Sequence, residues 1–256
     1  MLASIPLVGL AAMNTKLRVS WLVLGCLCLP ILLWAQSPES RGAVSIRELS
    51  IPRKAHQAFE QGVQLLGKKD AAGSLPHFQR AMAEFPSYYE ALYEMGVANL
   101  KLRRIADAEQ AFRRSVALSS GQFAPPLLGL GGVLGLQEKF AEAEEVTRKG
   151  LDLDMASWSG HYYLGWALLG LNRLEEAEKS VREALRLKTD FPEALRLLID
   201  IHSREKNYSA LLKDLDEYLK LDPDSPVGLR AKALRESAQR MLAESQSSAS
   251  LTQPLP

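Results

Sequence analysis

From about residue 55 to residue 225, apolar positions recur with the period of an α-helix, and the whole arrangement returns about every 34 residues. The segments "ALYEMGVANLKL" and "DAEQAFRRSVAL" each carry one apolar stripe. Polar, turn-compatible pairs separate such segments: Lys69-Asp70, Arg103-Arg104, Asn172-Arg173 and Lys206-Asn207. The pattern predicts helical hairpins. A single hairpin cannot bury both of its stripes, so neighbouring hairpins must stack.

Small and bulky residues fall at fixed places in this frame. Gly62, Gly96, Gly131 and Gly165 are 34, 35 and 34 residues apart. Twelve residues after each glycine come Ser74, Ala108, Ala143 and Ala177. Phe78, Phe112, Thr147 and Val181 follow, then Ala81, Ser115, Gly150 and Ala184. A fifth, less regular unit carries Leu198, Tyr208, Leu215 and "LKLDP", closing on Pro223.

This spacing resembles the tetratricopeptide repeat, a 34-residue helix–turn–helix with small residues at positions 8, 20 and 27, an aromatic at 24 and proline at 32. Met155 and Thr189 depart from the proline, and one extra residue enters around the third unit. The resemblance implies an all-α fold, a right-handed α-solenoid of about five units at 55–88, 89–123, 124–157, 158–191 and 192–225. Residues 36–54 read as a linker, 226–242 as an amphipathic capping helix that begins at Pro226, and 243–256 as a disordered tail.

The stretch "APPLLGLGGVLGLQ" superficially suggests a phosphate-binding loop, but its spacing excludes that. A dinucleotide fingerprint would need glycine where Leu134 stands, and a P-loop would need Lys-Ser/Thr after Gly135. In the repeat frame it is the first helix of the third unit, with Pro125 and Pro126 in its first turn. Gly129, Gly132 and Gly135 fall at positions 6, 9 and 12. Either they open a pocket in the middle of a groove, or they are glycines tolerated in a helix that its neighbours stabilise.

Composition adds limits. The chain is 47% hydrophobic and 24% charged with a formal net charge of +1, which argues against nucleic-acid binding. Lys16 and Arg18 precede an apolar run from Val19 to Trp34 and then Ala35, the order of a secretory signal peptide cut after Ala35. Met13 is a second candidate start. An uncleaved anchor and lipidation of Cys26 in "VLGC" are the alternatives, and a membrane would be reached only through this N-terminal segment. The expected location is therefore the periplasm or cell envelope. Both cysteines, Cys26 and Cys28, lie in this segment.

No catalytic or metal-binding arrangement emerges, so neither enzyme activity nor a cofactor is expected. His56, His77, His161 and His202 are scattered without metal spacing and read as surface or partly packed residues. The acidic pairs Glu144-Glu145 and Glu175-Glu176 read as solvated charge on outer helices. Asn207-Tyr208-Ser209 fits a glycosylation sequon at a turn.

The resemblance directs attention instead to a concave groove lined by the first helix of each unit. It carries the groove onto Phe59, Glu60 and Val63, then Tyr93, Glu94 and Val97, then Leu128, Gly129 and Gly132, then Tyr162, Tyr163 and Trp166, and finally Arg196, Leu197 and Asp200. Tyr, Trp and Arg dominate binding hot spots because they bury a large area while keeping a polar handle. The expected peptide-binding residues are Tyr93, Leu128, Tyr162, Tyr163, Trp166 and Arg196. The Lys/Asn/Arg carboxylate clamp of the family's co-chaperones is absent, since its positions hold Phe59, Val63, Glu94, Pro125 and Gly129. A protein or peptide segment is the expected partner. Use of the convex faces in an envelope assembly, and carriage of a small apolar ligand, are the alternatives.

Overall fold

The computed structural model describes residues 50–251, and eleven α-helices with no strand are found among them. The signal-like segment and nearly all of the linker lie outside the described residues. Five hairpins follow one another: α1 (Arg53–Gly67) with α2 (Ala71–Glu84), α3 (Tyr89–Lys101) with α4 (Ile105–Leu118), α5 (Ala124–Leu136) with α6 (Phe140–Leu153), α7 (Trp158–Gly170) with α8 (Leu174–Leu187), and α9 (Pro192–Glu205) with α10 (Tyr208–Leu221). A last helix, α11 (Pro226–Leu251), packs on α10. It runs on past residue 242, so the segment expected as tail begins as helix.

Each hairpin turn places one residue in the left-handed region: Lys69, Arg103, Glu138, Asn172 and Lys206, with φ from 55° to 66°. None is glycine, although this conformation costs an ordinary residue roughly 1–2 kcal/mol. The extra residue sits in the longer connection between α4 and α5, where Ser120 and Gly121 both have positive φ. Helix starts are fixed locally. Asp70, Ser157 and Asn207 accept hydrogen bonds from the amides of Gly73, Gly160 and Ala210, capping α2, α7 and α10. Pro125, Pro126, Pro192 and Pro226 stand at or near the first position of their helices, where a missing N–H costs little.

Within the first four hairpins, the glycine of the inner helix receives the bulky residue of the outer one. A Cβ at Gly62 would lie 2.6 Å from the Phe78 ring, and one at Gly165 would lie 2.5 Å from the Val181 side chain. Gly96 meets Phe112 and Gly131 meets Thr147 in the same way. In the fifth unit Ile199 and Leu215 hold the two places, both buried. Successive inner helices also approach one another directly, whereas successive outer helices do not. The stack therefore curves with α1, α3, α5, α7 and α9 on its concave side.

The surplus glycines of α5 extend this close packing between units. A Cβ at Gly129 would lie 2.8 Å from the Phe112 ring, one at Gly132 would lie 2.9 Å from Tyr163, and one at Gly135 would lie 3.0 Å from Trp166. Aromatic rings of the flanking units fill all three notches. The glycines are therefore seats for neighbouring rings, and Gly129 also borders the open cleft described below.

The outer helices are joined by ion pairs. Arg113 bridges Glu109 and Glu142, and Arg173 bridges Glu144 and Glu176. Glu144 also meets Arg148 and is only 15% exposed, so it ties units together where solvated charge was expected. His202 departs further from expectation. It is buried on α9, with Nδ1 2.5 Å from Asp214 of α10 and Nε2 3.2 Å from Glu178 of α8. Burial raises the Asp214 carboxyl above its ordinary range, against the opposing pull of His202 and Arg182. At Glu178 burial also acts upward, but Arg182 and His202 outweigh it and hold that carboxyl low.

Denaturant melts of single variants check this packing. Thr147 is fully buried with its hydroxyl unpaired, so Thr147→Val should raise stability by about 1 kcal/mol. His202→Leu strands a buried carboxylate and should cost about 3–5 kcal/mol, most of it recovered when Asp214→Leu is added. Gly132→Ala should lower stability by about 1–3 kcal/mol through overpacking. Its control is Gly67→Ala, whose added methyl meets nothing within 4 Å and should raise stability by up to about 1 kcal/mol.

Candidate functional site

A cleft of about 620 Å³ opens between α3, α5 and α7 on the concave side. Val97, Phe112, Leu128 and Gly129 contribute its apolar lining, with Tyr93 and Tyr163 beside them. Lys101, from the last turn of α3, and Asp154 and Trp158, from the α6–α7 junction, add polar and aromatic edges. A concave, mostly apolar surface with a few polar groups is the general form of a binding site.

The residues expected from sequence divide into three groups. Tyr93, Leu128 and Tyr163 meet at this cleft. Leu128, however, belongs to the core: it is 5% exposed, and Cβ atoms at Gly150 and Gly160 would touch its side chain at 2.5 and 3.0 Å. Only its edge faces the cleft. Trp166 is half-buried against Gly135. Tyr162 turns the other way along α7, its ring 4.9 Å from Phe191 and 5.5 Å from Tyr163. Arg196 is exposed on α9, near enough to Asp200 and Tyr162 to stabilise their ionised forms. Leu197, assigned to the groove with it, is buried core.

Other residues join the site without having been expected there. Phe112 comes from an outer helix and reaches the cleft because Gly96 and Gly129 make room for its ring. Its place in the repeat frame was visible, but not that it would pass between two inner helices. Phe123 lies 5.8 Å from Tyr93, edge to face. Trp158 is 39% exposed and stacks edge-on with Phe191 at 5.0 Å, with the Lys188 ammonium 4.0 Å above its ring. Its position at the first residue of α7 hid it from a reading confined to the family's groove positions.

The electrostatics favour binding through neutral groups. Burial, followed by the charges of Glu94 and Tyr163, pushes the Tyr93 hydroxyl up to about 12. Burial also raises the hydroxyls of Tyr162 and Tyr163. All three therefore remain protonated near neutral pH and can donate hydrogen bonds to a ligand. No group of three or more His, Cys, Asp or Glu side chains placed to hold a metal occurs among the described residues. Among those residues no helix is long and apolar enough to cross a membrane.

Comparisons with known proteins agree with this architecture. Tetratricopeptide repeat profiles match residues 55–123 and 158–198. No curated protein matches the sequence. Among solved structures, the chain is similar to MamA from Desulfovibrio magneticus RS-1, residues 41 to the end, at 19% identity and a TM-score of 0.59, covering 69% of this chain and 99% of that one. A thermophilic repeat protein of Thermus thermophilus is similar at 21% identity and a TM-score of 0.56, over 72% and 98% of the two chains. YrrB, described as having an unusual peptide-binding site, is similar at 18% identity and a TM-score of 0.56, over 70% and 92%. At these identities the structural likenesses carry the fold alone. Together with the profile matches and the five stacked hairpins, they make this chain a member of the tetratricopeptide repeat family.

Proposed function

We propose that this protein is a non-catalytic scaffold that holds a peptide or protein segment along its concave groove. One observation carries the reading: α5 and α7, two successive inner helices at the centre of the groove, contain no Asp, Glu, Lys or Arg. A helix apolar all round belongs in an interior or against a partner. The second of them, α7, nevertheless leaves the rings of Tyr162, Tyr163 and Trp166 partly exposed. That YrrB, a protein of similar fold, is described as having a peptide-binding site is in keeping with a peptide as the occupant. Tyr93, Tyr162, Tyr163 and Trp166 are the proposed anchors, with Arg196 as a charged contact beyond them.

We further propose export to the cell envelope, which the basic, then apolar order of residues 16–35 supports. A partner recruited there would be recognised through the groove.

The test is a pull-down from envelope extract with residues 36–256, comparing the wild type with a Tyr162→Ala/Arg196→Ala variant. Both side chains are at least partly exposed, so the variant should keep the wild-type helical circular dichroism signal. A partner retained by the wild type and lost by the variant is the expected result. Equal retention by both would redirect the function to the outer helices.

A further inference from the structure

One side chain on α3 bears on the chemistry of the groove's occupant. Among the described residues, loss of hydration raises three carboxyls above their ordinary range: Glu94, Asp200 and Asp214. Asp214 has His202 against it, and Asp200 has Arg196 and Arg204 nearby. Glu94 has no such cation. Burial alone acts on it, and it makes no hydrogen bond or ion pair among the described residues. A half-buried carboxylate without a counter-charge is costly, and such groups concentrate at binding sites.

The repeat register locates this carboxylate. Glu94 holds the same place in the second unit that Tyr163 holds in the fourth. The Tyr163 ring lies over Gly132 of the preceding inner helix. The residue equivalent to Gly132 in the first unit is Val63, which is 39% exposed. By this register Glu94 occupies the position of α3 that corresponds to the face turned toward the preceding inner helix, α1, where the exposed Val63 stands. Next to it the Tyr93 phenol remains neutral, so that neighbour supplies no positive charge.

Resting on the groove reading, we propose that Glu94 receives a Lys or Arg side chain of the bound segment, whose neighbouring residues over α5 and α7 are uncharged and apolar. Inner helices lie about 8–10 Å apart, so α3 and α7 are separated by roughly 16–20 Å. An extended chain advances about 3.3 Å per residue. The basic residue then stands about five or six positions from the residue that contacts Tyr163, the equivalent place on α7. An acidic residue at that end would face Glu94 directly and be rejected.

Three fluorescent peptides test this by anisotropy against the full 36–256 chain. Each has six uncharged residues, Leu and Phe interleaved with Ser, and they differ only in carrying Lys, Gln or Glu at one end. The Lys peptide should bind about tenfold more tightly than the Gln peptide, the size expected for a hydrogen bond to a charged group, and the Glu peptide should bind weakest. Glu94→Gln should abolish the preference of Lys over Gln, and Glu94→Lys should reverse the order of Lys and Glu. Tyr162→Ala should weaken all three while preserving their order. Equal binding of the three peptides to the wild type, or a Lys preference that survives Glu94→Gln, would overturn the role of Glu94 and leave the groove standing. No binding of any peptide would overturn both.

Discussion

The fold depends on how closely two helices can approach where one of them lacks a side chain. Gly62 and Gly96 seat the rings of Phe78 and Phe112, and Gly131 and Gly165 seat the smaller Thr147 and Val181. Interiors at crystal-like density leave no slack for an added methyl in such a contact. The small residue on the inner helix and the larger one on the outer helix are thus one device, repeated four times with its members sixteen residues apart. The fifth unit replaces it with Ile199 against Leu215, both fully or nearly fully buried. It closes the stack with larger side chains and a pairing of different shape.

The same constraint, doubled, makes the centre of the groove. In α5 the glycines at every third position from 129 to 135 admit rings from both flanking units, Phe112 on one side and Tyr163 and Trp166 on the other. Each of those glycines forgoes about 1 kcal/mol of helix propensity relative to alanine. The ring contacts offset that loss and fix the orientation of the aromatics that the groove presents. Structural and functional readings of Tyr163 and Trp166 are therefore not alternatives, because one side of each ring packs while the other is partly exposed.

Much of this was legible in the sequence, because helical hairpins are local objects. Gly96 and Phe112 meet in space and are close in the chain, and the recurrence of such pairs reveals the contact. Boundaries set by neighbours were less legible: α11 continues to Leu251 because nothing in its polar sequence stops a helix, and residue 242 marks no break. The contact of His202 with Asp214 and Glu178 joins three helices. Both His202 and Asp214 stand on otherwise apolar stripes, beside Leu198 and Ile201 and between Leu211 and Tyr218. Polar residues on such stripes are a usable signal. Reading all four histidines as surface or partly packed residues passed over it.

Periodicity alone settles the helical hairpin and its length, since a 34-residue repeat encodes contacts between near neighbours, and the family resemblance adds about five units and which helix of each faces inward. Which side chains become surface and which become core is settled only when the units stack. Leu128 and Tyr163 carry the same expectation in sequence and both reach the cleft, yet Leu128 is buried against Gly150 and Gly160 of the next helices while Tyr163 stays partly exposed. That outcome depends on the residues opposite, in a different unit. Exposure is a property of the pair of surfaces that meet, and a single helix does not contain that information.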